Sequence, residues 1–166
     1  MNRTFRSLAA TTALVAALAL AGAAFAQHRS ITQSNAGPFA IDYITEGGRF
    51  DRCAATLSPG ANMLRIAYNK DLKYSISVPS VPAPTPIKTI SLHLGREMQT
   101  VAATTDPRRI RAWGTFSPDA ITALMDVKGT IAIDLGAKQY RWPIGRTNLE
   151  SVMIALEDCT HRALGR

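Results

Sequence analysis

The middle of the chain alternates apolar and polar residues with a period of two. In the segment DLKYSISV (71–78), the apolar side chains share one face: Leu72, Tyr74, Ile76 and Val78. Such alternation is typical of half-buried β-strands. The same kind of pattern predicts eight short strands, at 49–57, 62–69, 71–78, 88–94, 97–104, 108–113, 130–136 and 138–144.

Two segments carry helical signals instead. In FSPDAITALMDVKG, Ser117 suits the N-cap and Pro118 the first helical position. Near the C-terminus, Thr147 and Glu150 form a capping box. The apolar residues that follow have helical spacing: Leu149, Val152, Met153, Leu156 and Cys159.

The order of these elements contains no strand–helix repeat and no internal repeat. It predicts a mostly β (α+β) fold, an antiparallel β-sandwich or bent sheet of about eight strands. One short helix interrupts the strands, and the C-terminal helix packs on the sheet. The proline-rich segment PSVPAPTP (79–86) cannot be a central strand, because proline lacks the backbone donor. We interpret it as a crossover between two layers; a proline-rich ligand for a partner groove is the alternative.

The N-terminus has the layout of a cleaved secretory signal peptide. Arg3 and Arg6 precede an uncharged run of Ala, Leu, Val and Thr, and Ala24-Phe25-Ala26 is a small-x-small cleavage site. The run is short for a membrane span, which needs about 20 residues, so an uncleaved N-terminal anchor is the weaker alternative. We therefore expect a signal peptide at 1–26, a flexible tail at 27–37, and a single β-rich domain at 38–166 in the periplasm or outside the cell.

Removal of that leader changes the charge of the chain. The full sequence has a net charge of +7, and without Arg3 and Arg6 it is +5. This excess is moderate, so it does not indicate a nucleic-acid binder. A basic surface favours acidic partners, although it also serves solubility alone.

The chain has two cysteines, Cys53 and Cys159. An oxidising compartment makes a disulfide between them the expected state. Two other readings of the C-terminal sequence LEDCTHR are weaker. On a helix, Cys159 and His161 point about 200° apart, so they do not form a catalytic pair. Two cysteines and three scattered histidines also lack the spacing of a zinc site.

Several stretches resemble the invasion-associated locus B family of small exported bacterial proteins. They are RCAAT, NMLRIAYNKDLKYSISVP, SPDAITALMDVKGTIAI and YRWPIGRTNLESVMIALEDC. The resemblance covers Phe50 to Thr160. It implies an exported, mostly β domain with a terminal helix, an envelope or host-interaction role, and no catalytic residues.

The best candidate for a binding surface is PRRIRAW. In a strand, Arg109, Arg111 and Trp113 project from one face, and guanidinium groups beside an indole can bind anionic groups, sugars or an acidic partner. An equally open alternative is that Trp113 lies in the core. For Trp142, in YRWP, we favour the core, and for His93 a solvated position on the polar face of its strand.

No nucleophile elbow, phosphate-binding loop or dinucleotide fingerprint occurs in the sequence. We therefore expect a non-catalytic domain without cofactor or metal. Its expected partner is an envelope or host protein, an acidic glycan or an anionic surface, with no nucleic acid. The alternatives are a periplasmic hydrolase whose site the fold assembles, and a structural subunit of an envelope assembly.

Overall fold

A computed structural model of the protein describes residues 28–80, 87–94, 97–105 and 111–166. Within these residues it has eleven strands and two helices. The strands are β1 (Arg29–Ala36), β2 (Phe39–Glu46), β3 (Arg49–Leu57), β4 (Leu64–Asn69), β5 (Tyr74–Pro79), β6 (Thr89–Leu94), β7 (Glu97–Ala102), β8 (Thr104–Thr105), β9 (Arg111–Thr115), β10 (Gly129–Leu135) and β11 (Lys138–Gly145). The helices are α1 (Pro118–Met125) and α2 (Leu149–Leu164).

The strands form two antiparallel sheets. The larger sheet has the order β1-β2-β3-β4-β5-β9-β8, and the smaller has the order β11-β10-β6-β7. Their inner faces and both helices contribute to one hydrophobic core. The predicted fold class, a mostly β sandwich with one short helix and a C-terminal helix packed on it, is confirmed.

The structure differs from the sequence expectation in the segment at 27–37. Residues 29–36 form β1, an edge strand that pairs with β2. Its side chains are almost all exposed, so it lacks the apolar alternation by which strands are recognised. The strand forms because its backbone pairs with β2 across a tight turn, in which Gly37 adopts a φ of +60°. The predicted signal peptide lies outside the described residues.

The proline-rich segment separates the two sheets in the chain. β5 belongs to the larger sheet and β6 to the smaller, so the chain changes layers between them, as the crossover interpretation requires. Residues 81–86 themselves lie outside the described residues.

Helix α2 packs against β2, β3 and β4 on the inner side of the larger sheet. The predicted apolar stripe is buried: Leu149, Val152, Met153, Leu156 and Cys159. Two side-chain hydrogen bonds fasten the helix to the sheet. Tyr74 Oη donates to Glu157 Oε1 at 2.8 Å, and Thr160 Oγ1 donates to the Tyr68 carbonyl at 3.0 Å. Burial and the hydrogen bond to Glu157 raise the pKa of Tyr74.

The predicted disulfide is present. Cys53 of β3 and Cys159 of α2 are bonded, with their Cα atoms 6.1 Å apart. Both residues are buried. The crosslink therefore fastens the C-terminal helix to an early strand.

The first helix has the N-cap that the sequence predicted, and the N-cap of the second lies one residue later than predicted. Ser117 caps α1 as predicted, and its hydroxyl accepts a hydrogen bond from the Ala120 amide. The N-cap of α2 is Asn148 rather than Thr147, and its side chain accepts from the Glu150 amide. Both Asn and Thr are good N-caps, so the sequence pattern did not distinguish these neighbouring positions, and the predicted N-cap is one residue too early.

The close approach of the two sheets depends on Gly114. A Cβ at this position of β9 would lie 2.7 Å from the Ala102 carbonyl oxygen and 2.7 Å from Val101 Cγ2. Both atoms belong to β7 of the smaller sheet, and the carbonyl is backbone that cannot simply rotate away. We expect Gly114→Ala to lower the free energy of unfolding by about 1–3 kcal/mol through overpacking.

Urea denaturation of the variant checks this expectation. Thr115→Ala, at the exposed neighbouring position, is the matched control and should change stability by less than about 0.5 kcal/mol. Equal midpoints for Gly114→Ala and the control would contradict the sheet contact.

In the described part of the chain, no helix has the length and apolar character needed to cross a membrane.

Candidate functional site

The outer face of the larger sheet carries a cavity of about 460 Å³. Its position follows from side-chain size along adjacent strands. Outward-facing Ala67 of β4 lies opposite Ser75 of β5, and Ser77 lies next along β5. These small side chains leave a depression, and longer side chains on the flanking strands surround it.

Strand register places a cation and an aromatic ring on opposite sides of the depression. Arg65 of β4 pairs with Ser77 of β5, and Ser77 pairs with Trp113 of β9. The three residues therefore form one row across three strands, with the smallest side chain in the middle. Trp113 is 38% exposed, so its ring is accessible although β9 lies between two other strands of the sheet.

Arg111 is held in place by the protein backbone. Its Nε donates to Ser77 Oγ at 2.8 Å, and one terminal nitrogen donates to the carbonyls of Ser77 and Met63 at 2.7 and 2.9 Å. These bonds orient the guanidinium at the cavity, because a planar group with two anchored nitrogens cannot rotate freely. Arg111 thus links β9, β5 and the loop before β4.

A ladder of polar side chains on the same outer face connects β1 to β4. The Asp42 carboxylate is buried and accepts hydrogen bonds from Thr32 Oγ1 and Thr56 Oγ1, both at 2.7 Å. Arg65 Nε donates to Thr56 Oγ1 at 3.3 Å. Asp42 thus holds the Thr56 hydroxyl, and that hydroxyl in turn positions the Arg65 side chain.

Arg65 is a partly desolvated cation. Burial lowers the pKa of its guanidinium; the Asp42 carboxylate partly opposes this, and the charge of Arg52 adds to it. Arginine stays protonated in proteins, so the shift expresses the cost of holding this charge away from water. An anion that entered the cavity would offset that cost.

A third guanidinium and two carboxylates complete the cavity wall. In the β2–β3 pairing, Ile44 faces Arg52 and Thr45 faces Phe50, so Asp51 is an additional, bulged residue. A bulge redirects side chains, and here both Asp51 and Arg52 line the cavity. The two side chains form a salt bridge with each other. Glu46, at the end of β2, is the second carboxylate of the wall.

The predicted row of Arg109, Arg111 and Trp113 lies only partly within the residues that the structure describes. Arg111 and Trp113 line the cavity together, while inward-facing Ala112 and Gly114 are buried. Trp113 is therefore on the outer face and not in the core. Arg109 lies in 106–110, outside the described residues.

The other aromatic and histidine predictions also have clear places in the structure. Trp142 is 2% exposed, and its indole nitrogen donates to the Asn62 carbonyl at 2.6 Å, so its predicted core position is confirmed. His161 packs edge-on against Tyr68, with ring centroids 6.3 Å apart. Its neighbour Cys159 is engaged in the disulfide.

His93 lies on the outer face of the smaller sheet. Its Nε2 is 2.7 Å from Asp134 Oδ2, and Gln139 Nε2 donates to Asp134 Oδ1 at 2.8 Å. The hydrogen bonds from Gln139 and His93 lower the pKa of Asp134. His93 is thus partly exposed, with a carboxylate partner in addition to solvent. Among the residues that the structure describes, no three His, Cys, Asp or Glu side chains cluster as a metal site would require.

Two cavity residues, Arg52 and Arg65, were not singled out by the sequence as binding residues. Arg65 has a visible signal, since it alternates onto the polar face of a strand whose other face is apolar. Its proximity to Trp113 has no local signal, because β9 pairs with β5 through residues that are 32 (Pro79 and Arg111) to 40 (Ser75 and Thr115) positions apart in the chain. Comparison of the chain with protein-family models, with curated proteins and with solved structures finds no match.

Proposed function

We propose that this chain is an exported, non-catalytic binding domain whose ligand is an acidic sugar, alone or within a glycan. The observation that carries the proposal is the cavity on the larger sheet, where Arg52, Arg65 and Arg111 surround a depression flanked by the exposed Trp113 ring. Its volume of about 460 Å³ is in the range of small-molecule sites, about 300–1,000 Å³.

The guanidinium groups favour a carboxylate ligand. Arginine presents paired N–H donors that match the two oxygens of a carboxylate. Arg111 is anchored by backbone carbonyls and Arg65 by Thr56, so little side-chain freedom is lost when an anion binds. An anion also relieves the mutual repulsion of Arg65 and Arg52.

The remaining groups favour a ligand with several hydroxyl groups. Glu46 and Asp51 accept hydrogen bonds, and the hydroxyls of Ser75 and Ser77 both donate and accept them. The two carboxylates would repel a dianionic phosphate ester more strongly than a single carboxylate. The apolar C–H face of a sugar ring can pack on the Trp113 indole. A uronic acid combines all three features: one negative charge, several hydroxyls and an apolar ring face.

Calorimetric titration of the exported, processed protein with glucuronate tests the proposal. We expect saturable binding of glucuronate and weaker binding of glucose and glucose 6-phosphate. Trp113→Ala and Arg52→Gln should each weaken glucuronate binding about tenfold or more, as expected when a charged hydrogen bond or an aromatic contact is lost. Arg162→Gln is the matched control, because Arg162 is exposed on α2.

Urea denaturation of each variant shows whether it remains folded. Equal affinities for glucuronate and glucose would contradict the role of the guanidinium groups. Undetectable binding of both glucuronate and oligomeric uronates by the folded wild type would overturn the proposed function.

A further inference from the structure

The outer face of the smaller sheet carries a second cavity, of about 510 Å³. Its floor is Ala132 of β10, which points outward because its neighbours Ile131 and Ile133 belong to the core. The two sheets pack with their inner faces on that core. The second cavity is therefore on the side of the sandwich opposite the first.

Strand register places two basic side chains on opposite sides of this floor. Ala132 pairs with His93 of β6 on one side and with Arg141 of β11 on the other. Because neighbouring strands are about 4.8 Å apart, the Cα atoms of His93 and Arg141 are separated by about 10 Å. The small side chain of Ala132 leaves the space between them open, and both basic residues line the cavity.

A chain of side-chain hydrogen bonds fixes both basic residues. Arg141 Nε donates to Gln139 Oε1 at 2.8 Å, and Gln139 Nε2 donates to Asp134 Oδ1 at 2.8 Å. The other carboxylate oxygen, Asp134 Oδ2, is 2.7 Å from His93 Nε2. An ionised carboxylate only accepts hydrogen bonds, so Nε2 is the donor. His93 Nδ1 and the terminal nitrogens of Arg141 are then the groups that can contact a ligand.

Lys128 supplies a cation from a third direction. It lies in the loop between α1 and β10 and lines the cavity. The Thr130 amide donates to the Lys128 carbonyl at 2.8 Å, which closes a three-residue turn and fixes this part of the loop. The same loop contributes the Asp126 carboxylate, the negative charge of the cavity wall.

We propose that this cavity binds a phosphate monoester, free or on a lipid headgroup. Such a group has a charge of about −1.5 to −2 at pH 7 and three terminal acceptor oxygens. Arg141, Lys128 and His93 reach the cavity from three different elements, so their donors suit a tetrahedral group better than a planar carboxylate. In its protonated form the His93 ring also donates through Nδ1. The inference does not rest on the proposed function, because the two cavities share no residue.

Chemical-shift titration of the ¹⁵N-labelled protein with glycerol 3-phosphate tests the proposal. We expect saturable shifts, with the largest at the amides of Thr130 and Ala132. Arg141→Gln and Lys128→Gln should each weaken binding about tenfold, because each removes a charged hydrogen bond. Asp126→Asn should strengthen binding about twofold to fivefold, because it removes the one negative charge that faces the phosphate.

A second arm distinguishes the two sources of the phosphate group. Cosedimentation measures binding to phosphatidylcholine vesicles with and without phosphatidate. Binding of glycerol 3-phosphate supports a soluble ligand, and binding to phosphatidate vesicles alone supports a lipid headgroup. In both cases the response to Arg141→Gln and Asp126→Asn should be the same. Arg162→Gln, an exposed change on α2, is the control and should leave the affinity unchanged; urea denaturation shows whether each variant is folded.

Three results would overturn the inference. The first is no saturable binding in either arm by the folded wild type. The second is binding that Arg52→Gln removes and Arg141→Gln does not, which would place the phosphate in the cavity of the larger sheet. The third is an equal loss in Arg141→Gln and Arg162→Gln, or no gain in Asp126→Asn, which would mean that the basic surface attracts phosphate without a defined site.

Discussion

Replacing Cys53 and Cys159 together by alanine is expected to lower the free energy of unfolding by about 4–5 kcal/mol. The two residues are 106 positions apart, and in the chain-entropy model a loop of that length restricts the unfolded chain by this amount. Single domains are stable by about 5–15 kcal/mol in total. The variant is therefore expected to be marginally stable.

Urea denaturation with and without reductant measures this contribution. Reductant should shift the midpoint of the wild type toward that of Cys53→Ala/Cys159→Ala, and it should leave the double variant unchanged. Thiol labelling of the denatured, unreduced wild type provides a separate check, because the disulfide predicts no reactive thiol. Two labelled cysteines, or midpoints that agree between wild type and variant, would contradict the crosslink.

The second large effect is expected at Leu156, in the middle of the buried face of α2. Its side chain is fully buried between the helix and the larger sheet. Leu156→Ala removes apolar contacts and leaves a cavity, which together cost about 2–5 kcal/mol. The loss should appear as a lower urea midpoint at an unchanged denaturant slope.

Ile154 offers a matched control on the same helix. It is 50% exposed, and Ile154→Ala removes an apolar side chain of similar size from the solvent side. We expect a change of less than about 0.5 kcal/mol there. If the two variants lost similar stability, the orientation of α2 on the sheet would be incorrect.

The disulfide and the proposed site meet on one strand. Cys53 of β3 points into the core, and its neighbour Arg52 lines the cavity on the other face. The crosslink therefore anchors the strand that carries one of the three guanidinium groups. A consequence is that a mobile β3 would weaken ligand binding as well as stability.

Local patterns were sufficient for much of the fold. The apolar stripe of α2 was readable because burial on one side of a helix imposes a repeat of three to four residues. The alternation at 71–78 likewise identified β5, whose Tyr74, Ile76 and Val78 are buried. The sequence pattern did not predict β1, because a strand with two exposed faces has no apolar alternation. The formation of β1 depends on pairing with β2.

Sequence alternation also predicted part of the candidate site. The alternation in RRIRAW put Arg111 and Trp113 on one face, but it did not say which face of the strand would be buried. That depends on β9 joining β5, with Gly114 turned toward β7 of the other sheet. Arg52 reaches the cavity wall beside a bulge at Asp51, and a register shift of one residue has no signature in composition or spacing.

By itself, then, the sequence determined the elements with one buried face, the cysteine pair and the chemical character of the strand around Trp113. These properties follow from periodicity and residue type, which can be recognised within a few neighbouring positions. The tertiary structure alone decided that three arginines from β3, β4 and β9 surround one depression beside that ring. Strand order and register brought them together, and both are set by packing between residues far apart in the chain.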